Sequence, residues 1–267
     1  RIKDAFIESN FINNDKITVS GALRMDQLIN NYYLPINNNT VQVNKKRRKK
    51  FTLFYFPLDS SMFGVVDESV DVNSYFPNGD IWSLKESYFI QLHQTILRLA
   101  EKNPQIDFVI KPKEIFMHQK SWSFYEKVVS ESDVDVKKLN NYVVDANANV
   151  HKLIMESDVI CGGQSSTTVE SLLLGKRVIL PLFSDYENTD YFKQFPWRNY
   201  LDLFNIARNS NEFEKEFYMT LESNDFSKDF IQRSIELYVR CFEDLTGNTI
   251  EGYSQTILSI INQSKRR

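Results

Sequence analysis

The stretch that decides the fold is Asp145–Phe183, with the sequence DANANVHKLIMESDVICGGQSSTTVESLLLGKRVILPLF. It contains two short apolar runs, Asp158–Cys161 and Arg177–Leu182, on either side of a helical pattern at Ser166–Leu174. A continuous apolar run such as Val-Ile-Leu at 178–180 is typical of a strand buried on both faces, as in parallel sheets. The stretch therefore predicts a β–α–β unit of a parallel α/β sheet.

The same alternation of apolar runs and helical patterns continues through the chain. Further strands are predicted at Lys16–Ser20, Phe51–Phe56, Asp107–Lys111 and Tyr142–Asp145, with a short extended piece at Phe204–Ala207. Helices are predicted at Met25–Tyr33, Leu84–Lys102, Ile115–Ser130, Val150–Glu156, Glu212–Glu222, Phe226–Phe242 and Thr249–Ile261. We predict an α/β class: a Rossmann-like parallel sheet with helices on both faces over 1–208 and a helical C-terminal segment over 209–267.

The composition is that of a folded protein, with 267 residues of which 42% are hydrophobic. A net charge of −3 argues against binding of nucleic acid through a basic surface. Cys161 and Cys241 lie in apolar-rich sequence, which favours buried thiols in a reducing compartment over a disulfide. Because no signal-peptide pattern and no apolar run of bilayer length occur, we expect a cytoplasmic protein.

The turn between the two strands of the opening stretch has the features of a phosphate-binding site. Gly162–Gly163 allow close approach of the backbone, and Ser165–Thr167 then begin a helix. The N–H groups and the positive dipole end at such a helix start attract an anion. Glu170 follows about one turn later, and its carboxylate suits the diol of a ribose or sugar. The alternative interpretation is a capped helix with a solvated Glu170; the pattern matches neither a Walker A loop nor G-x-G-x-x-G.

Motifs along the chain resemble those of known glycosyltransferases and related enzymes, in the same order. The turn and helix over 162–181 resemble the donor-site signature of GT-B glycosyltransferases. Ser20–Asp26 (SGALRMD) resembles the T-G-x-P-R-x-D segment of bacterial surface-carbohydrate biosynthesis proteins and of CDP-glycerol glycerophosphotransferases. Three further segments resemble motifs of the same proteins. Lys49–Pro57 resembles their strand that begins with basic residues and ends in proline, and Phe108–Glu114 resembles their strand that ends in H-P. Thr246–Glu251 resembles their D-G-x-S-x-R segment.

This resemblance implies the donor-binding half of a GT-B-type glycosyltransferase, with an acceptor domain upstream of Arg1. The expected reaction transfers a sugar from a UDP- or CMP-linked donor to a surface polysaccharide, such as a bacterial capsule, or to a glycolipid. No cofactor or metal is expected. Asp133-Val-Asp135 has the D-x-D form that enzymes of the other major glycosyltransferase fold use to hold a cation, but GT-B enzymes typically do without it.

The turn and the resemblance together assign roles to individual residues. Contacts to the donor phosphate are expected from Gly21, Lys111, Gly163, Ser165, Ser166 and Thr167. Contacts to the base are expected from Val144, Asp145 and Asn147. Glu170 is expected to bind sugar or ribose hydroxyls, and Arg24 to bind an anion. The catalytic residue is not assigned, and His151 is interpreted as a helix-start residue rather than a ligand.

Departures from the family pattern leave other functions open. Leu23 replaces the family's proline, and Lys111 stands in place of the H-P histidine. The alternatives are a glycerophosphotransferase that uses CDP-glycerol, a UDP-sugar 2-epimerase, and a non-catalytic scaffold domain that keeps the fold. Glu170 favours a sugar donor over CDP-glycerol, and the 2-epimerase reaction calls for more acidic and imidazole groups than the chain supplies.

Two loops complete the predictions. Asp59–Asp80 follows a strand's carboxyl end, where ligand-contacting loops collect in open α/β sheets. The basic run Lys45–Lys50 is expected to be a solvated surface loop. Its alternative role is peripheral contact with anionic lipid at the inner face of the plasma membrane, as suits an enzyme with a lipid-linked glycan acceptor.

Overall fold

A computed structural model describes residues 21–37, 47–54, 81–113, 120–184, 186–188, 190–193, 195–222 and 226–264. The chain divides into two compact units. The larger unit consists of Val43–Leu237, and the smaller unit consists of Arg1–Gln42 and Tyr238–Arg267. The predicted strand Lys16–Ser20 and the predicted loop Asp59–Asp80 lie outside the described residues.

The larger unit contains a six-stranded sheet with the strand order β3-β2-β1-β4-β5-β6. All of its strand pairs are parallel. The strands are β1 Lys49–Phe54, β2 Ile106–Lys111, β3 Tyr142–Val144, β4 Val159–Gly162, β5 Val178–Pro181 and β6 Asn205–Ala207. The order reverses between β1 and β4, and in open α/β sheets ligands bind outside the carboxyl ends of the strands at such a reversal.

The helices follow the predicted pattern with shifts of a few residues at their ends, and the first five residues of the predicted helix Ile115–Ser130 lie outside the described residues. They are α1 Asp26–Leu28, α2 Leu34–Asn37, α3 Ile81–Lys102, α4 Lys120–Ser130, α5 Val150–Glu156, α6 Ser166–Leu173, α7 Asp190–Lys193, α8 Ser210–Glu222, α9 Lys228–Phe242 and α10 Thr249–Ser264. Short 3₁₀ turns occur at Leu23–Met25, Val136–Lys138, Tyr186–Asn188 and Arg198–Leu203, and a π-helical turn at Ile29–Tyr33 joins α1 to α2. In the described part of the chain, no helix is both long and apolar enough to cross a membrane.

The main core lies between one face of the sheet and the helices α3 and α8. Alternate residues of the strands point to this face, among them Phe51 and Phe108, whose ring centroids are 5.2 Å apart. From α8, Phe217 stacks on Phe108 at 5.7 Å. In α3, Leu92 and Ile96 are fully buried one turn apart, which explains the amphipathic pattern of this helix. Burying each such side chain contributes about 2 kcal/mol to folding.

The opposite face of the sheet is covered by helices as well. The hydroxyl of Thr52 on β1 lies 2.6 Å from that of Ser157, the residue after α5, and both side chains are buried. Helix α6 is buried on nearly all sides against β4 and β5. Cys161 on β4 is buried as predicted, whereas the prediction of a buried thiol is wrong for Cys241 on α9, which is exposed.

In the smaller unit, two segments from opposite ends of the chain pack together. The carboxylate of Asp26 accepts hydrogen bonds from the backbone N–H groups of Thr249 (3.1 Å) and Ile250 (3.0 Å), so it caps helix α10. The side-chain amide of Asn30 donates to the carbonyl oxygen of Gly247 at 2.7 Å. The segments singled out by resemblance, Ser20–Asp26 and Thr246–Glu251, thus meet through the described residues 21–26.

Candidate functional site

The predicted phosphate turn lies at the carboxyl edge of the sheet, beside the reversal of strand order. Strand β4 ends at Gly162, which is in register with Phe54 of β1. On the other side of β1, Phe54 is in register with Lys111, the last residue of β2. Since neighbouring strands are about 4.8 Å apart, the ends of β2 and β4 are separated by about 10 Å across β1.

Hydrogen bonds within the turn fix its shape. Ser165 is extended, with φ −136° and ψ 144°, and its hydroxyl caps α6 by accepting the N–H of Thr167 at 3.3 Å. The carbonyl oxygen of Gly163 accepts the N–H of Ser165 at 2.8 Å and the hydroxyl of the buried Thr168 at 2.9 Å. Gly163, Ser165, Ser166 and Thr167 are half-buried. The turn is therefore a preformed helix start, in which the N–H groups of Thr167 and Thr168 already bond to the hydroxyl and the carbonyl oxygen of Ser165, at 3.3 and 3.0 Å.

Gly162 has a packing role at the end of β4. A Cβ atom at this position would lie 2.8 Å from the hydroxyl oxygen of Thr168, closer than real side chains approach. Only glycine therefore lets the strand end and the helix start come together in this way. The sequence predicted that the glycines allow a close approach of the backbone. In the structure, Gly162 allows β4 to approach α6 closely.

The predicted base-binding loop between β3 and α5 is also held in shape. Asp145 accepts the N–H of Asn147 through its carboxylate at 2.9 Å, and Asn149 caps α5 by accepting the N–H of Lys152 at 2.9 Å. The ammonium group of Lys111 donates to the carbonyl oxygen of Ala146 at 2.6 Å and to that of Pro112 at 3.0 Å. The cation predicted to contact a phosphate therefore also anchors this loop. The end of β2 is thus tied to the loop after β3, where Val144 is the last residue of its strand.

Glu170 is the most buried of the predicted site residues. Its side chain is 2% exposed, and its Oε2 lies 3.3 Å from Nε2 of His151, whose side chain is 15% exposed. His151 is the second residue of α5, as expected for a helix-start residue, but its ring lies against the helix that follows the phosphate turn. The solvated Glu170 of the alternative interpretation is not what the structure shows. No local sequence signal indicates this contact, because it depends on how two helices that follow different strands meet at one sheet edge.

The other two predicted residues, Gly21 and Arg24, belong to the smaller unit. Gly21 has a φ of +78°, and a Cβ atom there would lie 3.1 Å from Cβ of Asp244 and 3.3 Å from the hydroxyl oxygen of Thr249. Local packing within the smaller unit therefore accounts for this glycine. The guanidinium of Arg24 lies over the ring of Phe242, 5.8 Å from its centroid.

The described part of the basic run pairs with acidic residues at the amino edge of the sheet. Arg47 contacts Asp158 at 2.7 Å, and Lys50 contacts Glu156 at 2.6 Å. Arg48 contacts Asp107 at 3.2 Å. These residues flank the first residues of β1, β2 and β4, so the run holds strands together at the edge opposite the phosphate turn.

The D-x-D motif lies in a turn rather than in a cluster of ligands. Asp135 accepts the N–H of Lys137 and so caps the short 3₁₀ turn Val136–Lys138. Within the described ranges, no group of three or more His, Cys, Asp or Glu side chains is placed to hold a metal ion.

No protein-family profile and no curated protein matches the sequence. Several solved structures are similar to the chain. The wall teichoic acid polymerase TagF covers 99% of this chain with a TM-score of 0.52 at 15% identity, over 57% of its own length. UDP-GlcNAc 2-epimerase from Neisseria meningitidis covers 96% of this chain (58% of its own) with a TM-score of 0.44 at 15% identity. The C-terminal CMP-Kdo binding domain of WaaA from Acinetobacter baumannii covers 80% (96% of its own) with a TM-score of 0.41 at 9% identity.

The chain thus has a GT-B-like, Rossmann-type α/β fold, and the predicted fold class is confirmed. This conclusion rests on the similarity to the structure of TagF, and the chain spans 57% of the length of TagF. At 15% identity this similarity shows the fold alone.

Proposed function

We propose that this chain binds a nucleotide-activated sugar and is the donor-binding part of a glycosyltransferase. The observation that supports this most is the position of the β4–α6 turn. It combines a glycine pair, a serine cap and a helix start at the carboxyl edge, directly beside the reversal of strand order. Negative charge grows on the departing nucleotide phosphate as the glycosidic bond breaks, and helix N–H groups and hydroxyls there would stabilise it.

The parts of the donor follow from the order of the elements along the edge. In this proposal the diphosphate lies at Gly163 and Ser165–Thr167, the base lies at Val144–Asn147, and Glu170 accepts hydrogen bonds from a ribose or sugar diol. Lys111 lies between the residues proposed to bind the diphosphate and those proposed to bind the base, and it adds positive charge. The acceptor is a bacterial surface polysaccharide or a glycolipid, bound mainly by another part of the enzyme.

A glycerophosphotransferase is the second candidate. The observation that supports it is the pairing of two segments in the smaller unit, Gly21–Asp26 and Thr246–Glu251, which resemble motifs of the CDP-glycerol family as well as of the surface-carbohydrate biosynthesis proteins. The hydrogen bonds from Thr249 and Ile250 to Asp26 give this pairing a structural basis. The donor would then be CDP-glycerol, with its phosphates at the same helix start.

A thermal-shift panel tests both candidates. UDP, CMP, CDP, GDP, UDP-linked sugars and CDP-glycerol are each added to the protein and to its Ser166→Ala and Glu170→Ala variants. At a hundred times the dissociation constant, a ligand stabilises the folded state by about 2.7 kcal/mol, which raises the Tm by several degrees in a chain of this size. We expect a sugar nucleotide to raise the Tm of the wild type and to raise that of both variants less.

The panel also separates the alternatives. A larger rise with CDP-glycerol than with any sugar nucleotide would select the glycerophosphotransferase. If no nucleotide raises the Tm, the donor-binding proposal is wrong and a scaffold role takes its place. Lys152→Ala is the matched control, because Lys152 is exposed on α5 and its side chain forms an ion pair with Glu156 at 3.8 Å.

A further inference from the structure

The contact between His151 and Glu170 joins the two halves of the candidate site. His151 lies in the first turn of α5, directly after the loop proposed to hold the base. Glu170 lies in α6, one turn after the residues proposed to hold phosphate. Their side chains approach to 3.3 Å between Nε2 and Oε2, and both are largely buried. The helix after the proposed base loop and the helix after the phosphate turn are therefore in direct side-chain contact.

Glu170 is a buried carboxylate on a helix whose other buried side chains are uncharged. These are Thr168, Val169, Ser171, Leu172 and Leu173. Burying a carboxylate is unfavourable unless it is paired, and the imidazole of His151 lies within ion-pair distance of it, at 3.3 Å. A buried carboxylate beside an imidazole at the edge of a candidate ligand site indicates a role in binding.

The covalent order of a nucleotide matches the order of these elements. A nucleotide links base, ribose and phosphate in series. The base is proposed at Val144–Asn147 and the phosphate at Ser165–Thr167. Helix α5 follows the first of these sites and helix α6 the second, and the two helices make contact at His151 and Glu170. The group bound by Glu170 is then the ribose, which joins the two ends, rather than the transferred sugar beyond the phosphates.

We propose that His151 is a positioning residue that orients the Glu170 carboxylate toward the ribose hydroxyls of the bound nucleotide. The inference rests on the proposed donor-binding function. Nε2 of His151 lies 3.3 Å from Oε2 of Glu170, so an N–H at Nε2 is placed to hold the carboxylate in one orientation. Because Lys111 and the two caps at Asp145 and Asn149 hold the loop before His151, the carboxylate has a defined orientation before the nucleotide arrives.

The test compares each ribonucleotide with its 2′-deoxy counterpart. Dissociation constants of UDP and 2′-deoxy-UDP, and of CDP and 2′-deoxy-CDP, are measured by calorimetry for the wild type and four variants. The variants are His151→Leu, His151→Gln, Glu170→Gln and, as the matched control on the next residue of the helix, Lys152→Gln. The readout is the ratio of the two constants on one preparation, so an inactive fraction of protein cancels.

We expect the wild type to prefer the ribonucleotide by about tenfold or more, the size of a hydrogen bond to a charged group. His151→Leu and Glu170→Gln should each bring the ratio close to one. His151→Gln should restore part of the preference because its side-chain amide can donate to Oε2, and Lys152→Gln should leave the ratio unchanged. The double variant His151→Leu/Glu170→Gln should behave like Glu170→Gln alone, since both changes remove one coupled interaction.

The outcomes that overturn the inference are separate from those that overturn the proposed function. If nucleotides bind the wild type but His151→Leu keeps the wild-type ratio, His151 does not position Glu170. If Glu170→Gln also keeps it, or the wild type shows no ribose preference, Glu170 does not bind ribose, although donor binding stands. If the wild type binds neither UDP nor CDP, nor any nucleotide of the thermal-shift panel, the donor-binding proposal itself fails.

Discussion

At the amino edge of the sheet charged side chains are paired with one another, whereas at the carboxyl edge they hold loops and helix starts. The carboxylate of Asp158 accepts the Arg47 side chain at 2.7 Å and the N–H of Lys50 at 2.8 Å, and Lys49 lies 3.4 Å away. Nearby, the ammonium of Lys176 donates to the carbonyl oxygens of Met155 and Ser157, both at 2.9 Å. These groups tie β1 and β4 together where the strands begin.

At the carboxyl edge, the charged and polar groups fix the geometry of two turns. Lys111 donates to a loop carbonyl, Glu170 meets His151, and Ser165 caps a helix. The difference teaches that a basic run in the sequence is a poor guide to an anion site in this chain. The clustered cations at the amino edge stabilise the fold, and the candidate ligand groups are mostly hydroxyls and backbone amides at the other edge.

The largest expected effect of a substitution on stability at neutral pH comes from removing the charge of Asp158. In Asp158→Asn, Arg47 and Lys49 lose their counter-ion, and we expect the free energy of unfolding to fall by about 2 kcal/mol, as for other partly buried charged hydrogen bonds. Urea unfolding measures this, and nucleotide affinity should not change. Asp107→Asn is the control, because the Arg48–Asp107 pair is 51% and 35% exposed and should contribute less than about 1 kcal/mol. An Asp158→Asn protein that is equally stable but binds nucleotides weakly would contradict the division between the edges.

The carboxylate of Asp158 also determines how the free energy of unfolding changes at acid pH. Burial raises the pKa of Asp158, but the hydrogen bonds from Arg47 and from the N–H of Lys50, with the charges of Arg47 and Lys49, lower it further than burial raises it. The folded-state pKa is therefore below the unfolded value of about 3.9. Stability from this group is present above the unfolded pKa and is lost as the pH falls through the folded pKa. Asp158→Asn should flatten that part of the acid unfolding curve.

The next effect is an alkaline dependence that comes from Lys176. Burial lowers the pKa of this ammonium from 10.5 to about 8, with the charge of Asp158 opposing the shift and that of Arg47 adding to it. Between these values the unfolded chain holds a proton that the folded chain has released. The free energy of unfolding contributed by this group therefore rises with pH, by up to about 1.4 kcal/mol per pH unit.

The measurement is a difference between two proteins across this pH range. Lys176→Gln keeps amide donors for the two carbonyl oxygens but cannot titrate, so its stability should lack the rise seen in the wild type. Lys152→Gln, an exposed lysine, should follow the wild type. Parallel curves for wild type and Lys176→Gln would show that Lys176 does not titrate in this way.

Local patterns predicted the elements of the fold well. Val150–Glu156 is a helix with the predicted bounds because Asn149 caps it and its apolar residues recur at helical spacing. Strands such as Val178–Pro181, which are buried on both faces, carry uninterrupted apolar runs, whereas a strand with one solvated face alternates apolar and polar residues. Ser165 was identified as a helix-start residue from its type and position alone, and it is the cap of α6.

Contacts between distant segments could not be predicted in the same way. The basic run is visible in the sequence, but its partners Glu156 and Asp158 lie more than 100 positions away, as the separations of 106 and 111 residues show. His151 was predicted as a helix-start residue, because nothing local indicates that the next helix places Glu170 against it. The predicted division at 208 follows the change to an all-helical pattern in the last quarter of the chain, and it stays a prediction.

The smallest effect separates the two roles of the serine that begins α6. Ser165→Ala removes the cap to the N–H of Thr167 and should lower the free energy of unfolding by about 1 kcal/mol. Ser165→Asp keeps a capping oxygen and suits the helix dipole, so it should be as stable as the wild type. Its negative charge would nevertheless repel a phosphate at the same helix start, and nucleotide affinity should fall by about tenfold or more. Unfolding curves and calorimetry on both variants make the comparison. If Ser165→Asp binds a nucleotide as tightly as the wild type, the phosphate does not lie at this helix start, and the carboxyl edge loses its assigned role.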